Sequence, residues 1–166
     1  MPAKVVIDID GADAMSSVLL GLLNRFPGLI DGNRIVVFTM MTETSGIGFY
    51  PVSGPAVQND NEDVTGHVKQ VCVYPFSVVY RSAPKSEKQR IRIKEFLDAL
   101  GRWLERQPVV ISDVEQQLTS YPTLTTGRRI KSISRTSPAY LNAAYQDGIE
   151  DWIIGAQMIY ENEFDR

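Results

Sequence analysis

The chain has 166 residues, of which 43% are hydrophobic and 22% charged, and a net charge of −3, which suits one globular domain with a real core. No apolar run approaches the roughly 20 residues of a membrane helix, and MPAKVVIDID lacks the apolar core and cleavage site of a secretory signal, so an intracellular protein is expected. A single cysteine, Cys72, and a single histidine, His67, exclude an internal disulfide, argue against Cys/His zinc sites, and leave His67 as the one base available to a nucleophile–His–acid triad.

In chain order, residues 11–26 carry Met15, Val18, Leu19, Leu22, Leu23 and Phe26 at helical spacing, and Pro27-Gly28 ends the stripe. RIVVFTMM (34–41) reads as a buried strand. Residues 42–66 read as one long irregular loop with an acidic tip at Asn59–Asp63, with FYPV as a short strand within it. HVKQVCVYPFSVVYRS (67–82) is apolar on both faces through its middle, the pattern of a central strand, although Pro75 calls for a bulge or an edge position.

Ser86 is placed to cap a second helix whose stripe is Ile93, Phe96, Leu97, Leu100, Trp103 and Leu104, ending before Pro108. Residues 112–127 read as a short helix and a loop. RRIKSISRTS is strand-like, Asp147-Gly148 signals a turn, and Trp152, Ile154, Ala156, Met158 and Tyr160 share one strand face. The expected fold is a single α+β domain over 1–166: a mostly antiparallel, mixed β-sheet packed against two main α-helices, with one long loop.

The first motif that invites a chemical reading is KVVIDIDGADA. An apolar run ending in Asp-x-Asp-Gly resembles the start of haloacid-dehalogenase-type phosphotransferases, with Asp8 as nucleophile and Asp10 as acid/base partner. That pattern continues with Thr and an apolar residue, whereas Ala12 and Asp13 stand here. The only distant acids for Mg²⁺ are Glu150 and Asp151, in a stretch that reads as a hairpin. A helix start explains the same residues, with Asp10 as N-cap and Asp13 favouring the helix dipole. No glutamate follows at the twelfth position for a calcium loop, and Gly46 and Gly48 lack the helix and lysine of a phosphate loop. His67 reads as a surface residue and Cys72 as core.

Charge is segregated along the chain. Residues 1–66 carry eight acids and three bases (−5), residues 67–135 six acids and thirteen bases (+7), and residues 136–166 six acids and one base (−5). Such blocks suit head-to-tail subunit contacts, unless folding intermixes them. Arg81, Lys85, Lys88, Arg90, Arg92 and Lys94 crowd the start of the second helix, where cations oppose the macrodipole, and a nearby anion would relieve them. Arg128, Arg129, Lys131 and Arg135 form a second group on or beside a strand. Neither group has interleaved aromatics for stacking bases, or a groove-reading motif.

VYPFSVVYRSAPKSEKQRIRIKEFLDALGRWLE resembles a segment of the minor capsid, or tail-terminator (tail-completion), proteins of long-tailed bacteriophages. The matching positions are Tyr74, Pro75, Phe76, Val79, Tyr80, Arg81, Phe96, Leu97, Asp98, Leu100, Gly101, Trp103 and Leu104, about a fifth of the chain. The remainder matches in element order. The resemblance implies a non-enzymatic virion protein, made in the host cytoplasm, without cofactor or catalytic residues. It would form a ring with itself, commonly a hexamer, cap the tail tube protein, and meet the head–tail connector proteins. DNA would pass through the lumen without sequence specificity. Arg81, Lys85, Lys88, Arg90, Arg128, Arg129, Lys131 and Arg135 are then candidates for interface or lumen. The alternatives are a small Mg²⁺-dependent phosphohydrolase using Asp8 and Asp10, and a nucleic-acid-binding module using the basic groups.

Overall fold

The structure, a computed structural model, describes residues 12–29, 33–124 and 127–166. Its elements are α1 (Ala12–Leu23), β1 (Ile35–Val37), a 3-10 turn (Phe38–Met40), β2 (Gly46–Pro51), β3 (Ala56–Glu62), β4 (His67–Ser82), α2 (Glu87–Leu104), β5 (Val109–Ile111), β6 (Val114–Gln116), β7 (Arg128–Arg135), β8 (Tyr140–Ala144) and β9 (Glu150–Asp165). The α+β class is as expected: two helices on one seven-stranded sheet, mixed because β1 runs parallel to β2 while the other pairs are antiparallel.

The sheet is built on β4 and β9, which pair without interruption from His67↔Asp165 to Ser82↔Glu150. At 16 residues each, they span about 50 Å. On the outer side of β4 lie β2, opposite residues 76–81, and β3, opposite 68–73. On the outer side of β9 lie β7 and β8. Pro75 sits in the gap between β2 and β3 and still partners Gln157 on β9. It therefore needs no bulge. Its carbonyl accepts from Val52 on the outer side, where its missing N–H also falls, a local edge inside a central strand.

The core occupies one face. Cys72, Tyr74, Phe76 and Val78 of β4 and Ile154, Ala156, Met158 and Tyr160 of β9 are buried there beneath Met15, Leu19, Leu22 and Leu23 of α1 and Ile93, Leu97, Leu100 and Leu104 of α2. This burial follows from the period-two and period-3.6 apolar patterns and supplies the main stabilising term. Phe26 joins the helices, its ring 5.6 Å from Phe96 and 5.5 Å from Trp103. Ser86 caps α2 by accepting from the Gln89 amide. Gly101 is buried where α2 crosses the sheet, and a Cβ there would overlap Arg135 Cδ and meet Ile154 Cδ1 at 2.9 Å.

Three expectations are corrected. Residues 42–66 are not one loop: β2 and β3 occupy most of the span. All seven residues of β3 are exposed, so it shows no apolar alternation and exists because β4 offers it a ladder. Residues 34–41 are not one strand, because β1 ends at Val37 and a 3-10 turn follows. The short helix expected from residue 112 is instead a hairpin of β5 and β6. Its two turn residues, Ser112 and Asp113, have φ of 51° and 64°, the left-handed pair of a tight hairpin turn. No helix among the described residues is long and apolar enough to cross a membrane.

Candidate assembly surface

The sheet face opposite the core carries no helix among the described residues. Strand alternation places Val71, Val73, Pro75, Val79, Ile153 and Ile159 on it, and all but the buried Val79 are partly exposed. Tyr50 and Tyr140 extend it onto β2 and β8 and are each 46% exposed. The 3-10 turn covers one corner, where Phe38 meets Tyr50 edge to face and lies under the Arg81 guanidinium. The result is an apolar strip with ionic clusters at both ends.

At the end formed by the start of β9, Arg81 grips Asp151 through two bonds, Nε to Oδ1 at 2.7 Å and an Nη to Oδ2 at 2.9 Å. Tyr145 Oη donates to the same carboxylate at 3.0 Å. Burial would raise the Asp151 carboxyl, but these bonds and the Arg81 charge outweigh it and hold the group below the ordinary carboxylate range. On the other face Arg90 binds Glu150 at 2.9–3.0 Å and Glu87 at 2.7 Å. The Arg90 bonds pull the Glu150 carboxyl down, and the Glu150 bond raises the arginine in turn. Trp152 Nε1 also donates to Glu150 at 3.1 Å.

At the opposite end, buried Glu161 gathers three cations: Arg129 at 2.9 Å, Lys131 at 3.2 Å and Lys69 at 3.7 Å. Burial acts to raise this carboxyl, and the bonds from Lys131 and Arg129 overcome it. Beside it His67 Nδ1 lies 2.8 Å from Asp165, and that bond raises the imidazole. Arg128 and Arg129 line a cleft of about 340 Å³ with Gly127, Glu161 and Glu163.

Arg128 apart, which lines this cleft, the other seven candidate cations have different fates. Arg81 and Arg90 are taken up by Asp151 and Glu150, and Arg129 and Lys131 share Glu161. Arg135 binds Glu105 at 2.8 Å and lies over Gly101, which places it between β7 and α2 rather than on an open face. Lys85 and Lys88 are exposed and make no ion pair among the described residues. The central basic block thus meets the C-terminal acidic block inside one subunit, so folding intermixes much of the charge that is segregated along the chain.

Asp8 and Asp10 lie outside the described residues, as does Asp10's reading as a helix cap. The acids nominated to join them, Glu150 and Asp151, are consecutive on β9 and so point to opposite faces of the sheet. They do not converge on one ion. Cys72 is core, as expected.

The chain matches no protein-family model and no curated protein sequence. Sequence reading missed Glu150, Asp151 and Glu161 as the residues that organise the ionic clusters. The available signal was acids in strand positions that are otherwise apolar, in IEDWII and MIYENEF. Such acids need cationic partners, because a buried charge is stable only when paired.

Proposed function

We propose that the chain is a structural subunit of the phage tail that forms a ring on the finished tube, ends its polymerisation and joins tail to head. The observation that carries this reading is the fold of the resembling segment. Residues 67–104 form one long central strand, a short polar turn and a capped amphipathic helix, the arrangement the resemblance implies. The sheet around this segment has an apolar face that no α-helix covers among the described residues, and two outer edges, surfaces suited to assembly. In this reading the protein is not an enzyme, its partners are its own copies, the tube protein and the head–tail connector, and its place is the virion.

The phosphohydrolase alternative needs carboxylates that converge, and Glu150 and Asp151 diverge into separate arginine pairs. The nucleic-acid alternative needs cations available to phosphates, and most of the candidate cations already have carboxylate partners.

The test is to add purified protein to polymerising tail-tube subunits and score tube length and end density by electron microscopy. Shorter tubes bearing an end ring are expected. Tubes of unchanged length with bare ends at every ratio defeat the proposal.

A further inference from the structure

We infer that copies of this chain pair head to tail, the β5–β6 hairpin of one seated in the cleft between α1 and β1 of the next. The inference rests on the ring reading for its setting and names the two patches that would build the ring.

The cleft has a volume of about 490 Å³, within the range of formed binding pockets. Gly21 of α1, Val36 and Val37 of β1 and Met40 of the 3-10 turn line it, together with Arg25 and Arg34. Met40 is 75% exposed. Both arginines are exposed and make no ion pair among the described residues. Asp31, between them in sequence, lies outside the described residues. Gly21 is the wall that packing within the subunit does not explain. Glycine in a helix interior costs about 1 kcal/mol against alanine, yet a Cβ at this position would meet no neighbouring atom within 4 Å. Its missing side chain leaves room for something from outside.

That occupant does not add a strand to the sheet. β1 is three residues long, and the N–H and C=O of Ile35 that would carry a further ladder are taken by the Asn24 side chain at 2.8 and 2.9 Å. The edge is plugged at its first residue, so a partner must fill the cleft with side chains.

The hairpin has the side chains to do so. Val110 is 72% exposed and Val114 54%, beside Asp113 in the turn and Glu115 on β6. Both acids are exposed and make no ion pair among the described residues. Arg106, the nearest base in sequence, lies beyond the stem of the hairpin, where it donates to the Thr119 carbonyl and covers the Tyr121 ring. An apolar tip carrying two acids thus matches an apolar cleft carrying two arginines, and the unbranched Met40 can adapt its shape to the valines.

The two patches lie on opposite flanks of the subunit. β1 stands at one end of the strand order and β7 at the other. Just after the hairpin, Tyr121 Oη accepts from the Ile133 amide of β7 and donates to the Leu104 carbonyl of α2, which ties the hairpin to the β7 flank. The contact is therefore heterologous, and it closes a ring where its rotation allows.

The test is sedimentation velocity of the full chain across concentration and salt. Wild type should associate as concentration rises and dissociate with salt. Arg25→Glu/Arg34→Glu and Asp113→Lys/Glu115→Lys should each weaken association by about 10-fold or more. An equimolar mixture of the two should restore it, because each altered patch then meets its opposite. Gly21→Leu should also weaken association while leaving the subunit as stable or more so, since its side chain enters the cleft from a helix that it favours. It serves if a charge variant fails to fold. A wild type that stays monomeric at about 1 mM, the weak end of measurable affinity, overturns the inference, as do folded variants that associate like wild type or a mixture that stays dissociated. Equal loss on Arg92→Glu/Arg102→Glu moves the contact to α2 and overturns it too. Loss on Asp8→Lys/Asp10→Lys, with Asp113→Lys/Glu115→Lys harmless, assigns the cleft to the N-terminal segment instead of the hairpin. Tubes capped equally well by Gly21→Leu sink this contact and leave termination standing. Assemblies that respond to every variant as expected and ignore tubes do the reverse.

Discussion

Gly101→Ala probes how closely α2 lies on the sheet. In the helix alone, alanine is favoured over glycine by about 1 kcal/mol. Here the added Cβ would overlap Arg135 Cδ and lie 2.8 Å from Arg135 Cγ and 2.9 Å from Ile154 Cδ1. Overpacking of this kind costs about 1–3 kcal/mol, so the net effect is a loss of up to about 2 kcal/mol. Arg135→Ala removes two of the three contacts and leaves only the rotatable tip of Ile154. In that background Gly101→Ala should be neutral or stabilising by up to about 1 kcal/mol. The assay is a double-mutant cycle by urea unfolding at constant m-value, with a coupling of about 1–3 kcal/mol expected. Gly101→Ala stabilising the wild type, with the two changes additive to within about 0.5 kcal/mol, would refute the close approach.

Asp151→Ala leaves Arg81, whose side chain is 14% exposed, without its carboxylate. Chemical denaturation should show a loss of about 3 kcal/mol, the low end for breaking a buried pair, and replacing both partners by apolar residues should cost far less. Ser86→Ala removes the α2 cap and should cost about 1 kcal/mol by the same assay. Acid should destabilise the fold: Glu150, Asp151 and Glu161 are all held low. Their contribution is complete above the unfolded carboxyl values of about 4 and is lost as pH falls through the folded values. His67 is raised, so its contribution is complete below about pH 6.5 and is lost as pH rises through its folded value. Melting temperature against pH should therefore drop steeply on the acid side and slightly above neutrality, with His67→Asn flattening only the second limb. Lys88→Glu, in the first turn of α2, should stabilise the free subunit by about 0.3–1 kcal/mol, and an unchanged or lower melting temperature would contradict that orientation.

The elements legible in the sequence were those whose pattern repeats over many residues. Strand β4 has its expected bounds because its apolar residues occupy both faces for most of its length, and α2 because Ser86 and a six-residue stripe agree. Strand β3 was not legible: AVQNDNE has neither alternation nor propensity, and only the adjacent β4 edge makes it a strand. The hairpin of β5 and β6 was hidden by Ser112 and Asp113, which serve as well at a helix start as in a left-handed turn. For the site, the basic residues were legible and their partners were not. The Arg81–Asp151 and Arg90–Glu150 pairs depend on the register of β4, α2 and β9, which no local stretch of sequence specifies.

That register also changes what the charge blocks mean. Read linearly, the +7 block between two −5 blocks offers whole surfaces of one sign to a neighbour. Folded, β9 lies along β4, so the C-terminal acids become fixtures of the subunit: Glu150 holds α2 to the sheet, Asp151 holds Arg81, and Glu161 holds β7 to β4 through Lys69. Among the described residues, exposed cations without an ion pair remain at the head and along the outer side of α2, at Lys85, Lys88, Arg92, Lys94 and Arg102. A heterologous contact requires two different, complementary patches on one chain. Pairing the C-terminal acids internally makes such a contact more selective, because fewer exposed charges remain to favour other orientations.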